Sequence, residues 1–209
     1  MRIGNEKRPS HLVVACFVLA LAAGIGCGGG GGGSTIVVGP PPTASFTPSG
    51  TPAAPNGVFL QQVSASGTVV TVEVELGGPT SSSDFYSFAF DLVLGDASVA
   101  QFVPNSAEVG TALTTTGGQT LAADAAQSGG RVIVGVTKLG GGAGNGLSAA
   151  EASVVRLTFR VLKAGMSTIS FSGSVSPSNP TGLPVALDSG GVPIGSVTFD
   201  AVSATITGS

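Results

Sequence analysis

The sequence predicts an all-β fold, an antiparallel β-sandwich that follows a signal peptide and a disordered Gly/Pro-rich tether. Three observations support this. Several short segments place β-branched or aromatic residues at every second position, which is the period of a strand. Turn-forming Gly, Pro, Ser and Asp residues separate these segments. No helix-length run has a 3.6-residue apolar period. Seven to nine such strands are typical of a sandwich.

The first 26 residues fit a secretory signal peptide. Arg2, Lys7 and Arg8 precede an apolar run over residues 12–23, and small residues follow it. A positive start, about 7–15 apolar residues and a small-residue end are the features of such a peptide. Because a bilayer span takes about 20 apolar residues, the run is too short to be one. We therefore predict export.

Cys27 is the candidate site of a lipid anchor. Ile25-Gly26-Cys27 is similar to the end of the bacterial lipobox, in which the cysteine is acylated and becomes the mature N-terminus. Cys16 lies in the segment expected to be removed, so Cys27 would otherwise be a lone thiol in an oxidising compartment. We expect lipid at Cys27 and a location in the cell envelope, at the outer membrane or cell surface. The alternative is ordinary signal cleavage with Cys27 unmodified.

Residues 27–57 are predicted to be a tether. They begin with six glycines at 28–33, continue with several prolines and show no apolar period. Glycine-rich segments behave as flexible coil and proline-rich ones as stiffer extended chain, so about 30 such residues span roughly 30 Å. We place the folded domain at residues 58–209.

The strand predicted over residues 86–94 organises the domain. One side of it carries an aromatic-rich row expected to be buried: Tyr86, Phe88, Phe90, Leu92 and Leu94. The other side carries a small and polar row expected to face water or a partner: Ser87, Ala89, Asp91 and Val93. Further strands are predicted over 70–76, 132–136, 155–161 and from 169, with shorter ones at 99–103 and 197–206. In the strand over 70–76, Glu73 and Glu75 are expected on a solvated face.

Composition excludes several classes of function. Without residues 1–26 the chain keeps 5 basic and 10 acidic side chains, a net charge of −5, so binding to nucleic acid through charge is not expected. The remaining chain has no histidine, and no acidic or cysteine pattern has metal-ligand spacing. We expect no catalytic residue, no metal and no cofactor.

Several segments in this order resemble cohesin domains, the jelly-roll modules of bacterial cellulosome scaffolds. They are the strand over 70–76, Phe90-x-Leu92-x-Leu94, the strand over 132–136, Leu157-Thr-Phe-Arg-Val161 and Gly165-x-Ser-x-Ile169. The resemblance implies a non-enzymatic module that binds dockerins, calcium-loaded modules on polysaccharide-degrading enzymes, through the sheet face that includes residues 86–94. Cohesins usually carry Asn and Asp where this chain has Ser87 and Ala89.

The candidate partner-binding residues are Ser87, Ala89, Asp91, Val93, Arg156 and Arg160. The two arginines point the same way from one strand and could donate to a partner carboxylate. Alternatively they protect a sheet edge against aggregation. Two other functions stay open, a carbohydrate-binding sandwich and a structural envelope lipoprotein. The chain has no Trp and a single Tyr, whereas sugar platforms usually use exposed rings.

Overall fold

The computed structural model describes residues 39–50, 56–77, 84–146, 151–172 and 184–209. In these ranges the chain forms thirteen strands and no helix, which confirms the predicted all-β class. The strands are β1 Ala44–Thr47, β2 Gly57–Ser66, β3 Val69–Gly77, β4 Ser87–Leu94, β5 Ala100–Phe102, β6 Glu108–Val109, β7 Thr120–Ser128, β8 Arg131–Leu139, β9 Ala152–Val161, β10 Gly165–Phe171, β11 Val185–Leu187, β12 Thr198–Phe199 and β13 Ala204–Gly208.

The strands form two sheets, which we name sheet A and sheet B. Sheet A has the order β1-β13-β10-β4-β8-β7, and β11 pairs with β4 beside β10. Sheet B has the order β12-β2-β3-β9-β5, and β6 pairs with β9. The pairs are antiparallel, except that β12 runs parallel to β2. Strand β4 is central in sheet A, with β8 along one side and β10 and β11 along the other.

One hydrophobic core lies between the two sheets. Inward rows from β3 and β9 of sheet B meet inward rows from β4 and β8 of sheet A in a single cluster of buried side chains. Phe90 of β4 lies against Phe171 and Phe199, with ring centroids 5.5 Å and 6.1 Å away. Because the two sheets share this core, the predicted sandwich is confirmed.

The folded unit begins earlier than the predicted residue 58. Strand β1 pairs with β13 from Ala44↔Gly208 to Thr47↔Thr205, and Ala44 and Phe46 are only 4% and 6% exposed. The compact unit covers Gly39–Ser209. Residues 44–47 therefore bury an apolar face, contrary to the reading of 27–57 as tether throughout. The signal peptide, Cys27 and the glycine run lie outside the described residues.

Two other segments also hold more strand than their patterns indicated. Strand β7 has nine residues in the weakly periodic region 110–130, and β11 lies in the turn-rich region 177–191. The prediction that Tyr86 belongs to the buried row is wrong: Tyr86 precedes β4 and is half-buried, whereas its neighbour Phe85 is completely buried and stacks on Phe88. No membrane-spanning helix is found in the part of the chain that the structure describes.

Candidate partner-binding face

Strands β4, β8 and β7 run side by side in sheet A, and we name the outer surface over them the β4–β8–β7 face. Each strand turns alternate residues away from the core, and the register places them in rows across the sheet. One row is Ala89, Gly135 and Asp124, and the next is Asp91, Ile133 and Ala126. Short side chains dominate these rows, so the surface has few projections.

Ile133 is an exposed apolar residue near the centre of this face, and Leu139 at the end of β8 is another on the same side. Its side chain is 50% exposed, although its strand neighbours Val132 and Val134 are buried in the core. Gly135 lies two residues further along β8, and a Cβ added there would meet nothing within 4 Å. Ile133 therefore stands beside open, shallow surface. A single exposed aliphatic side chain is ordinary, but here it lies in the middle of a flat sheet face.

Asp91 is buried, which corrects the prediction that it faces water or a partner. It is 5% exposed, and its Oδ2 accepts a hydrogen bond from Arg131 Nη1 at 2.6 Å. The Asp91 Oδ1 atom has no hydrogen-bond partner among the described residues. The Arg131 side chain is 53% exposed and covers the carboxylate. Arg131, which the sequence analysis did not select, is thus the charge that this part of the face presents.

Ser87, Ala89 and Val93 lie on the outer side of β4 and are half-buried between β8 and the strands β10 and β11. They share one surface, as their spacing indicated. Short side chains on the neighbouring strands leave this row partly accessible. The predicted β4 row is therefore one surface, apart from Asp91.

Arg156 and Arg160 lie on the outer side of sheet B, so the structure does not bring them together with the β4 row. Arg156 Nε donates to Glu73 Oε1 at 2.9 Å. Strand β9 is flanked by β3 on one side and by β5 and β6 on the other, so it is not an edge strand. The edge-protection hypothesis is wrong for this reason.

Glu73 and Glu75 form an acidic pair on the outer side of β3. Glu73 is only 9% exposed because Arg156 covers it, which corrects the expected solvated position. The pKa of Glu75 is raised above its ordinary value, first by burial and then by the negative charges of Glu73 and Glu151. Among the described residues, no group of three His, Cys, Asp or Glu side chains is placed to hold a metal ion.

Replacing Glu75 with glutamine should stabilise the protein at neutral pH. Because the pKa of Glu75 is raised in the folded state, the protonated side chain stabilises the fold relative to the ionised one. The wild type loses this stabilisation as the pH rises through the folded-state pKa, whereas glutamine stays neutral at every pH. The variant should gain less than about 1 kcal/mol at pH 7, since water screens a partly exposed charge, and nothing below about pH 4. Thermal unfolding between pH 3 and pH 8 measures this.

The exposed Asp124 of β7 supplies the matched control. Its side chain makes no hydrogen bond or ion pair with the described residues, so Asp124→Asn removes one negative charge at a site away from the acidic pair. An Asp124→Asn profile that matched Glu75→Gln would show that net charge, rather than this acidic pair, causes the effect. A Glu75→Gln variant less stable than wild type at every pH would contradict the interpretation.

Comparison with protein-family models gives no match, and no curated protein matches the sequence. Three solved structures illustrate what the chain is similar to. A type II cohesin domain from the cellulosome of Acetivibrio cellulolyticus has 18% identity and a TM-score of 0.47, over 75% of this chain and 95% of that one. A cohesin in a type II cohesin–X-dockerin complex from the same organism has 14% identity and a TM-score of 0.43, over 69% and 92%. A cohesin module from a Clostridium perfringens family 33 glycoside hydrolase has 12% identity and a TM-score of 0.43, over 80% and 96%.

Proposed function

We propose that this chain is a non-enzymatic recognition module that holds a protein partner against the β4–β8–β7 face. The observation that carries the proposal is Ile133, a half-exposed aliphatic side chain in the middle of a flat surface of small residues. Cores of protein interfaces are poor in charge and rich in apolar contact. Because the outward side chains around Ile133 are short, the backbone of a partner could approach this surface closely.

Arg131 adds a directional contact to this surface. Asp91 accepts a hydrogen bond from one guanidinium nitrogen of Arg131, Nη1, and the Arg131 side chain is half-exposed. A guanidinium has five N–H donors in a fixed fork, so donors remain for a carboxylate on the partner. Since Asp91 restrains the side chain beforehand, less conformational entropy is lost when a partner binds.

The partner must extend beyond these three strands. Seven residues along three strands cover roughly 300 Å², from strand spacings of about 4.8 Å and rises of about 3.3 Å. A stable interface buries about 800 Å² on each partner. Thr168 and Ser170 of the neighbouring β10 lie on the same outer side and continue the polar, small-residue surface.

By its sequence resemblance to cohesins, we propose that the partner is a dockerin-like module of a polysaccharide-degrading enzyme. Such a module is loaded with calcium, so binding should be lost when calcium is chelated and recovered when it is added back. A polysaccharide that retains the chain without any protein partner would instead support the carbohydrate-binding alternative.

Replacing Ile133 with glutamate should weaken partner binding at least about tenfold, because the interface would lose an apolar contact and would have to bury a charged side chain in its place. The full-length protein, immobilised, would be used to capture secreted proteins of its source, and the affinity of each captured protein would then be measured by calorimetry. Val63→Glu is the matched control, since Val63 is 44% exposed but lies on sheet B. Equal binding by wild type and Ile133→Glu, or equal loss in both variants, would contradict the proposed face.

We further propose that the module is exported and held in the cell envelope by lipid on Cys27. The support is the order of a charged start, an apolar run and Ile25-Gly26-Cys27 in the sequence. Cells fed labelled palmitate should incorporate the label into wild-type protein and not into Cys27→Ala. A mature N-terminus with a free, unmodified Cys27 would contradict the anchor.

A further inference from the structure

Lys138 is a buried lysine that the partner-binding face does not use. It lies near the end of β8 with its side chain on the core side and is 1% exposed. Its Nζ donates to Ala143 O at 3.0 Å and to Asn145 Oδ1 at 2.9 Å, and both acceptors are neutral. Within the described residues, no carboxylate forms an ion pair with it. A buried ammonium whose hydrogen-bond partners are all neutral is costly, so an ion pair does not explain why a lysine is buried here.

The side chain of Asn145 is fixed in front of the Lys138 amine. Asn145 Nδ2 donates to Thr114 Oγ1 at 2.6 Å, and Asn145 Oδ1 accepts from Thr114 N at 2.9 Å. The Asn145 backbone exchanges two hydrogen bonds of 2.8 Å with Phe85. The amide oxygen therefore accepts from both Lys138 and Thr114, and the Thr114 N–H would stabilise the negative charge that develops on this oxygen when Lys138 attacks.

Two apolar side chains and one carboxylate lie close to this pair. Leu121 is the strand partner of Lys138, and the fully buried Phe85 pairs with Asn145. Asp84 precedes Phe85, and its carboxylate accepts from Gly144 N at 2.5 Å and from Ser189 Oγ at 2.8 Å. These hydrogen bonds lower the pKa of Asp84, first that from Ser189 and then that from Gly144, and the Lys138 charge lowers it further. Asp84 is therefore ionised at neutral pH and close enough to Lys138 to interact with its charge.

We propose that Lys138 and Asn145 react to form an intramolecular isopeptide bond. The neutral Lys138 amine attacks Asn145 Cγ, a bond forms between Nζ and Cγ, and the bond between Cγ and Nδ2 breaks. A proton passes from the attacking amine to the departing nitrogen, which leaves as ammonia, and the nearby Asp84 carboxylate stabilises the positive charge that Nζ carries during the attack. In total, one amine and one carboxamide become one secondary amide and one molecule of ammonia, so no oxidant or other reactant is needed.

The bond would fasten the loop over residues 140–146 to the end of β8. That loop carries Gly144, which binds Asp84, and Asn145, which pairs with Phe85. The cross-link would therefore hold together the chain segments that enter β4 and leave β8. This consequence is independent of the partner-binding face, because Lys138 points into the core.

Peptide mapping of the full-length protein tests the proposal. Trypsin cuts after Arg131, Lys138 and Arg156 in the unmodified chain, but an acylated Lys138 is not a substrate. After denaturation and digestion, the expected product is one uncut peptide, 132–156, lighter than its sequence mass by about 17 Da, the mass of ammonia. Cleavage after Lys138 into 132–138 and 139–156 with unmodified masses would overturn the proposal. Cleavage after Lys138 with the second peptide about 17 Da lighter would also overturn it, since that result indicates a succinimide at Asn145.

Two variants test the assigned roles. Lys138→Arg keeps the charge and donors but has no nucleophilic amine, and it should give no species lighter by ammonia. Asp84→Asn should slow the appearance of the 132–156 peptide at least about tenfold in freshly made protein, as expected for loss of a carboxylate that stabilises developing positive charge. An unchanged rate in Asp84→Asn would overturn the role of Asp84, and the wild-type map alone decides whether the bond exists.

Discussion

Replacing Phe90 with alanine is expected to lower the free energy of unfolding by about 3–5 kcal/mol, the range for truncating a buried aromatic side chain. Phe90 is completely buried at the centre of β4, and its ring packs edge-on against Phe171 and tilted against Phe199. Those two rings also contact each other, with centroids 5.3 Å apart. The cavity would thus open inside an aromatic cluster drawn from both sheets. Chemical denaturation of the full-length protein measures the loss.

Val93→Ala on the same strand is the control for Phe90→Ala. Val93 lies on the outer side of β4 and is half-buried, so its truncation removes less buried surface and should cost under about 1.5 kcal/mol. If the two variants were equally stable, the assignment of the Phe90 side of β4 to the core would be wrong. If Phe90→Ala lost much of its free energy of unfolding but still bound the partner, the core side of β4 would affect stability and not partner binding.

Replacing Gly110 with alanine should cost about 3 kcal/mol or more, beyond the usual range for overpacking. Gly110 follows β6, and its N–H donates to Val154 O at 3.0 Å. A Cβ at this position would overlap the carbonyl carbon and oxygen of Ser153. Because those atoms belong to the backbone of β9, no change of rotamer can relieve the overlap. Thermal unfolding of the variant measures the cost.

Gly135→Ala is the matched glycine control. Gly135 lies within β8, and an added Cβ would meet nothing within 4 Å. Alanine is favoured over glycine inside regular structure by roughly 0.5–1 kcal/mol, so this variant should be as stable as wild type or slightly more stable. An equal loss of stability in both variants would contradict the steric explanation for Gly110.

The alternation of apolar with other residues predicted the central strands because the core-facing side of each strand carries an unbroken row of apolar residues. Phe88, Phe90 and Leu92 in β4 and Val132, Val134 and Val136 in β8 are all buried, as their spacing indicated. Each of these strands is long enough for three or more apolar residues to repeat on one side. The period then appears in the sequence without any knowledge of the partner strand.

Short or alanine-rich strands could not be found in this way. Strand β1 has four residues, and only its pairing with β13, more than 150 residues later, shows why Ala44 and Phe46 are apolar. Strand β7 is Thr-Leu-Ala-Ala-Asp-Ala-Ala-Gln-Ser, in which both sides carry alanine. Its conformation depends on the nine-residue pairing with β8, which composition does not encode.

The charged residues of the candidate site were harder to place than the apolar ones. Asp91 and Glu73 alternate with core residues, which indicates exposure, but Arg131 and Arg156 reach across from neighbouring strands and cover them. These contacts join residues 40 and 83 positions apart in the sequence. The meeting of Lys138 with Asn145 similarly depends on how the intervening loop folds back.

The pairing of β1 with β13 also determines where the preceding part of the chain joins the folded unit. Thr43 and Ser209 exchange hydrogen bonds of 2.7 Å and 3.0 Å, so both ends of the compact unit leave from the same border of sheet A. Strand β8 lies four strand spacings from that border, a distance of about 19 Å. A partner bound over Ile133 would therefore lie away from the point at which the chain enters the folded unit, so the entering chain would not obstruct binding.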